Sequence, residues 1–182
     1  MVRDKRPAIF LDRDGVIIVE KNFLRDPEEI EFYPGAIEAL KAIGDVYIKI
    51  VISNQSGVAR GYFTSADVEK INDHISSILK MSGIGIDAWY FCPHGPDDDC
   101  QCRKPRPGMI LEAAEEFNIN MSKSWIIGDK SSDIDAGRAS GLNTILVKTG
   151  YGGSEPGATV SKADYTASDI SEAIKYINGS IQ

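Results

Sequence analysis

Two carboxylates with one residue between them, Asp12 and Asp14, follow a short apolar run in Phe10-Leu11-Asp12-Arg13-Asp14-Gly15. A carboxylate is a competent nucleophile toward phosphorus, and it splits a hydrolysis into two easier steps through an acyl phosphate. A second carboxylate close by serves first as acid and then as base. Gly15 permits a sharp turn directly after the pair. The same pattern also occurs in solvated turns and calcium loops, so alone it leaves those readings open.

Three further segments carry matching chemistry. In Ile50-Val51-Ile52-Ser53-Asn54-Gln55-Ser56-Gly57 an apolar run ends in small polar residues. A Ser53 hydroxyl and successive backbone N–H groups suit phosphate oxygens, although an ordinary polar loop has the same composition. Cys102-Arg103-Lys104-Pro105-Arg106-Pro107-Gly108 gathers cations in a segment stiffened by proline. A fixed Lys104 ammonium would neutralise a transferring phosphoryl group; the plain alternative is a solvated basic loop. Ile126-Ile127-Gly128-Asp129-Lys130, with Asp133 beyond it, offers hard oxygen donors for magnesium. Asp133 is also placed to cap a helix, and both jobs are compatible.

These segments matter only if the fold brings them together. Apolar runs at Ala8–Leu11, Tyr47–Ile52, Ala88–Phe91, Trp125–Gly128 and Thr144–Val147 read as buried strands. Helical spacing predicts helices over Pro34–Ile43, Ser65–Met81, Pro107–Phe117, about Ser132–Ser140 and Ile170–Ile177. Thr64 or Ser65 would cap the second of these. Gly150–Gly157 reads as a surface loop, and Ala163–Thr166 as an edge strand. Strands alternating with helices predict an α/β fold: a Rossmann-like three-layer sandwich with a mostly parallel sheet and no large cap domain, in one domain over 1–182. In such sheets ligands bind beyond the carboxyl ends of the strands. Asp12, Asp14, Ser53 and Asp129 each follow a predicted strand and therefore converge on one edge.

Composition bounds the partners. A net charge of −7 leaves no cationic excess to displace counterions from nucleic acid, yet a small phosphate ester needs only a few local cations. The chain shows no signal peptide or membrane span, so a cytoplasmic protein, expected to be monomeric, is predicted. All three cysteines lie between Cys92 and Cys102. Cys92, His94, Cys100 and Cys102 offer one imidazole and three thiolates, a closed set for structural zinc; three unrelated buried cysteines is the alternative.

Together these segments resemble the haloacid dehalogenase superfamily of phosphohydrolases, from about Ile9 to Thr149. Asp12-Arg13-Asp14-Gly15 is similar to its first motif, Ser53 its second, Lys104 its third, and Gly128-Asp129 with Asp133 its fourth. The resemblance implies Asp12 as nucleophile, Asp14 as acid and base, and Ser53 and Lys104 as phosphoryl-holding groups. It implies magnesium on Asp12, the backbone carbonyl of Asp14 and Asp129. The zinc element followed by Arg103-Lys104-Pro105 resembles two branches, the D,D-heptose 1,7-bisphosphate phosphatases and the histidinol-phosphate phosphatases. Asn54-Gln55-Ser56-Gly57-Val58-Ala59-Arg60-Gly61 looks like the heptose branch. Two features depart from the pattern: Ser53 stands where many relatives have Thr, and the loop between His94 and Cys100 is shorter than in many of them. Substrate contacts are expected from Glu20, Lys21, Asn22 and Phe23, from Asn54, Gln55 and Ser56, and from Lys130. Arg60 and Arg103 are candidates for a second phosphate or sugar hydroxyls. The expected activity is magnesium-dependent removal of a sugar phosphate. Histidinol-phosphate phosphatase is the nearest rival reading; a nucleic-acid end phosphatase and a catalytically silent zinc-stabilised binding module are the others.

Overall fold

In the computed structural model, which describes residues 4–159 and 162–180, β1 (Ala8–Leu11), β2 (Ile48–Asn54), β3 (Ala88–Cys92), β4 (Trp125–Gly128), β5 (Asn143–Val147) and β6 (Tyr165–Ala167) form one sheet. Every pairing in it is parallel, in the order β3-β2-β1-β4-β5-β6. The expectation of one domain over 1–182 also takes in residues 1–3, 160–161 and 181–182, which lie outside the described residues.

The helices are α1 (Ala36–Ala42), α2 (Ser65–Met81), α3 (Gly108–Glu116), α4 (Ser131–Ala139) and α5 (Ile170–Gly179). Alternation along the strands assigns them to faces, because successive side chains point to opposite sides of a sheet. Ile9 and Leu11 join Leu40, Ile71, Ile75 and Ile174 in one core, which places α1, α2 and α5 on that side. Ala8 and Phe10 join Ile110, Ala113 and Ala136 in a second core, under α3 and α4. The result is the three-layer sandwich expected. Both faces of the central strands are covered, so β1 is buried at all four residues, Ala8 to Leu11.

Most element ends agree with the sequence pattern to within a residue or two. Helix α2 begins where expected because Thr64 and Asp67 close a capping box: the Asp67 N–H donates to Thr64 Oγ1 at 3.2 Å, and the Thr64 N–H donates to Asp67 Oδ2 at 2.9 Å. One difference matters for the site. Strand β2 continues through Ser53 and Asn54, which pair with Phe91 and Cys92 of β3, so these two residues sit within the strand end and not beyond it. The ladder from β3 holds their backbone although their side chains are polar. Among the described residues no helix is long and apolar enough to cross a membrane.

The order in which strands are added to the sheet reverses at β1. From there β2 and β3 extend to one side, and β4, β5 and β6 to the other. The carboxyl ends of β1 and β4 therefore flank a crevice at the switch point, where doubly wound sheets receive ligands.

Candidate functional site

Asp12 follows β1 and Asp129 follows β4, on either side of that crevice, while Asp133 stands in the first turn of α4. Each offers a carboxylate oxygen, and the three oxygens lie within 4.8 Å of one another. Lys104 enters between them from the β3–α3 connection. Its Nζ lies 3.0 Å from Asp12 Oδ1 and 2.6 Å from Asp133 Oδ1, and it donates to the Ile52 carbonyl at 2.8 Å. The contact to Ile52 is a hydrogen bond and those to Asp12 and Asp133 are ion pairs, so a phosphoryl oxygen approaching Lys104 must share the ammonium with Asp12. The Lys104 backbone is held in turn by Asn54: its side-chain amide donates to the Lys104 carbonyl at 3.0 Å, and its Oδ1 accepts from the Lys104 N–H at 3.1 Å. Asp133 caps α4, as expected, by accepting from the Lys130 N–H at 3.0 Å, and it also pairs with Lys104.

The charges do not balance without a further cation. Burial pushes the Asp129 carboxyl up to about 8, and the neighbouring Asp12 charge adds to the effect. Burial also raises Asp133, against the pull of Lys104. Burial opposes ionisation of Asp12 as well, but the ammonium groups of Lys104 and Lys130 outweigh it and hold Asp12 below the ordinary carboxylate value. Asp129 Oδ2 accepts the Tyr151 N–H at 2.8 Å, while its Oδ1 is buried without a hydrogen-bond partner. Two glycines press on this carboxylate from opposite connections. A Cβ on Gly15 (φ 88°) would stand 2.3 Å from Asp129 Oδ2, and one on Gly150 (φ 60°) would stand 2.2 Å from it. A carboxylate packed tightly on its Oδ2 side, with its Oδ1 orphaned beside two more carboxylates, fits a magnesium ion, which would favour the ionised form of all three.

Asp14, only 9 % exposed, is gripped from two sides. Arg13 Nε donates to its Oδ2 at 3.1 Å, Arg13 Nη2 to its Oδ1 at 3.2 Å, and Gln55 Nε2 to its Oδ2 at 2.8 Å. Gln55 Nε2 also lies 3.3 Å from the buried Ser53 Oγ, which ties the end of β2 to the end of β1.

A cleft of about 790 Å³ opens beside these groups. Asn22, Phe23, Ser56, Arg60, Arg103 and Lys130 line it, as do Glu20, Asn54 and Gln55. Lys21 does not line it, because its ammonium pairs with exposed Glu31 at 2.8 Å. Asn54 does, although both ends of its amide are committed to Lys104. Lys130 bridges toward Glu20 at 3.5 Å and sits 5.0 Å over the Tyr151 ring. Burial, then the Asp14 charge, raises the Glu20 carboxyl. At the mouth, Phe23 meets Tyr62 edge-on with centroids 4.9 Å apart, and the Arg60 guanidinium lies 5.9 Å over the Phe23 ring. Asn22 and Phe23 both have positive φ (49° and 70°), a costly backbone state that the surrounding contacts must hold.

The sulfur cluster is assembled as its spacing predicted. Cys92 Sγ lies 3.7 Å from Cys100 Sγ and 3.1 Å from Cys102 Sγ, and His94 Nδ1 lies 3.5 Å from Cys92 Sγ and 3.3 Å from Cys102 Sγ. Tetrahedral zinc with ordinary bond lengths needs edges of about 3.6–3.8 Å, so the four donors are close to that size. Burial, followed by the adjacent Cys102 thiol, holds the Cys92 thiol above its usual value, which a bound cation would reverse. Arg103 Nη1 donates to the His94 carbonyl at 3.1 Å and couples this cluster to the Lys104 segment.

Several contributors were not singled out from sequence. Arg13, between the two acids, was given no role of its own, yet its guanidinium grips Asp14. The Gly150–Gly157 stretch looked like a surface loop, yet Gly150 and Tyr151 pack on Asp129, and Thr149 Oγ1 donates to the Gly15 carbonyl at 2.6 Å. The available signal was position: this stretch follows β5, at the same end of the sheet as the other site residues.

Comparison with known proteins agrees with this geometry. The HAD-hydrolase-like family model matches residues 101–173. The D-glycero-beta-D-manno-heptose-1,7-bisphosphate 7-phosphatase of Pasteurella multocida is 38% identical over 96% of this chain and 98% of its own. The D-glycero-alpha-D-manno-heptose-1,7-bisphosphate 7-phosphatase of Photorhabdus laumondii is 41% identical over 94% of this chain and 100% of its own. A crystal structure of D,D-heptose 1,7-bisphosphate phosphatase from B. bronchiseptica, complexed with magnesium and phosphate, superposes with a TM-score of 0.86 at 31% identity, covering 96% of this chain and 99% of that one.

Proposed function

The chain belongs to the D,D-heptose 1,7-bisphosphate phosphatase branch of the haloacid dehalogenase-like hydrolases, and from that premise we propose that it is a magnesium-dependent phosphatase releasing the 7-phosphate of D-glycero-D-manno-heptose 1,7-bisphosphate. The observation that carries this reading is the buried set of Asp12, Asp129, Asp133 and Lys104 at the switch point, open to a cleft whose mixed-charge lining includes Arg60, Arg103 and Lys130. A carboxylate triad that neutralises one divalent ion, beside a fixed ammonium, suits phosphoryl transfer, in which positioning and charge stabilisation do most of the work.

In the proposed reaction the Asp12 carboxylate attacks phosphorus opposite the departing sugar oxygen. The Asp12 oxygen–phosphorus bond forms, the phosphorus–oxygen bond to the sugar breaks, and the leaving oxygen takes a proton from the Asp14 carboxyl. Water then gives a proton to Asp14 as its oxygen bonds to phosphorus, and the Asp12–phosphorus linkage breaks. Ser53 and Lys104 hold the phosphoryl oxygens. Asp12, the backbone carbonyl of Asp14 and Asp129 are the proposed magnesium ligands, with Asp133 adding its charge nearby; a bound magnesium ion supplies neutralisation of phosphoryl charge. Arg60, Arg103 and Lys130, with Glu20, Asn22 and Phe23, are proposed to receive the remainder of the substrate. The proposed working form is a cytoplasmic monomer.

Phosphate release with magnesium should be measured side by side on both anomers of the heptose bisphosphate and on histidinol phosphate. A kcat/KM for one or both heptose anomers at least about a hundredfold above that for histidinol phosphate is the expected result, since an unfilled cationic subsite costs several kcal/mol. Preference for histidinol phosphate would move the chain to the neighbouring branch. No release from any of the three would revive a silent zinc-stabilised module.

Zinc on Cys92, His94, Cys100 and Cys102 is proposed to be structural, because all four positions are filled by the chain and none is left for substrate. Its removal should loosen the segment that carries Lys104. A metal-free preparation restored with magnesium alone is expected to melt roughly 10 °C lower, given the scale of structural zinc binding and of Tm shifts in a chain this size. Its turnover should fall with it. Unchanged melting and unchanged turnover, with zinc shown absent by metal analysis, would remove this role.

A further inference from the structure

Arg13 is 1 % exposed and is the largest fully buried side chain among the described residues. A guanidinium taken out of water must find partners, and it has two sets. One is the Asp14 carboxylate. The other is Asn72 on α2, whose Oδ1 accepts from Arg13 Nη1 at 2.9 Å. Asn72 is itself only 7 % exposed, on the same helix face as Val68, Ile71, Ile75 and Leu79, where helical spacing calls for an apolar residue. An amide in a core stripe costs stability unless it is bonded, and this one is bonded to Arg13. A buried ion pair is a weak means of stabilising a fold, since desolvation offsets most of its attraction; what it does well is fix a geometry.

The geometry here runs from a long helix to one carboxylate. Helix α2 is anchored by its capping box and four core residues, Asn72 orients the guanidinium fork, and the fork meets both oxygens of Asp14. Gln55 completes the grip from the end of β2. We propose that Arg13 and Asn72 are positioning residues that, with Gln55, hold the Asp14 carboxyl at the angle and distance needed to pass a proton to the leaving oxygen. Asn72 does not line the cleft, and Arg13 borders it at only 1 % exposure with its guanidinium committed to Asp14 and Asn72. The inference rests on the reading of Asp14 as acid and base given above.

Leaving-group chemistry separates this role from a structural one. An aryl leaving group departs without protonation, whereas a sugar oxygen needs it, and kcat/KM reports the step in which that oxygen leaves. Asp14→Asn should lower kcat/KM for the sugar bisphosphate by roughly a hundredfold or more, and for para-nitrophenyl phosphate by less than about tenfold. Asn72→Leu keeps the helix face apolar and leaves the Arg13 fork unheld. It should lower the sugar value by about tenfold and the aryl value by less than about twofold, with KM for the sugar little changed. Arg13→Lys keeps the charge but not the fork, and should shift the ratio in the same direction and further. Thermal melting of each variant establishes that it is folded, and should Arg13→Lys not fold, Asn72→Leu decides. If Asp14→Asn separates the two substrates while the Arg13 and Asn72 variants lower both equally or neither, the clamp is overturned and the acid–base reading survives. If Asp14→Asn itself lowers both equally, the reading of Asp14 fails and the clamp fails with it.

Discussion

Asp12→Asn is expected to lower phosphate release by at least about ten-thousandfold while leaving the protein folded, as removing a covalent nucleophile does in enzymes whose other groups stay in place. The side chain keeps its size, so the packing at the end of β1 survives. What it loses is the ability to form an acyl phosphate: an amide oxygen is a far weaker nucleophile, and its attack on phosphorus would give a phosphorylated imidate and not the mixed anhydride that water cleaves. The substitution also removes one partner of Lys104 at 3.0 Å. Because Lys104 and Lys130 hold the Asp12 carboxyl below its ordinary value despite burial, ionised Asp12 favours the folded state. That contribution is present above the unfolded carboxylate pKa of 3.8 and fades as pH falls through the depressed folded value. Without magnesium, the melting temperature of Asp12→Asn should therefore lie below that of the parent protein near neutrality and approach it in acid. Magnesium should raise the parent's melting temperature more than the variant's, because ligand binding to the native state adds stability in proportion to the affinity retained. Turnover within about tenfold of the parent would exclude Asp12 as the attacking group.

The site was legible wherever a residue type was unusual for its place. Acids directly after apolar runs, at Asp12 and Asp129, and four metal-seeking side chains between Cys92 and Cys102 stood out from sequence. Strand and helix limits followed from apolar runs and from 3.6-residue spacing, because both faces of this sheet are covered and its central strands are mostly apolar. What escaped reading depends on direction and on distance in three dimensions. Arg13 occupies the middle of Asp-x-Asp, and nothing in one dimension says whether a long cation there points to solvent or folds back on its neighbour. Asn72 interrupts the apolar stripe of α2, and only the packing of α2 beside the residues after β1 gives it a partner, Arg13. Lys21, read as a substrate contact from its position, turns instead to Glu31, and Asn54, which does line the cleft, also commits its amide to the Lys104 backbone, choices set by neighbours 10 and 50 residues away. Thr149 to Tyr151 act through backbone groups and close approach, which residue type does not encode.

Lys104→Met is expected to damage both stability and catalysis, and the two effects have one cause. Lys104 Nζ is 2 % exposed at its side chain and lies between two carboxylates that are themselves buried, Asp12 and Asp133. Burial works against its charge, but the pull of Asp12 and Asp133 is larger, so the ammonium is held firmly in the charged form. Methionine fills nearly the same volume with no charge, and it leaves Asp12, Asp133 and the Ile52 carbonyl without their donor. Removing one partner of a buried pair typically costs about 3–5 kcal/mol, and a second buried acid makes the higher end the better expectation. In a chain of this size that corresponds to a fall of roughly 10 °C or more in melting temperature without magnesium. Millimolar magnesium should restore part of it by neutralising the same carboxylates, and that rescue should be larger for the variant than for the parent. Turnover should fall by at least about a hundredfold even where the variant is fully folded, since a fixed donor to developing phosphoryl charge is lost along with the anchor of Asp12. Lys104→Arg tests the shape of the requirement. It keeps the charge, but a planar fork cannot meet Asp12 Oδ1, Asp133 Oδ1 and the Ile52 carbonyl in the tripod that an ammonium supplies. It should recover more stability than turnover. If Lys104→Met melts with the parent and hydrolyses substrate within tenfold of it, Lys104 is neither the counterion nor the phosphoryl donor, and the balance of charge at the switch point must be set by magnesium and Lys130.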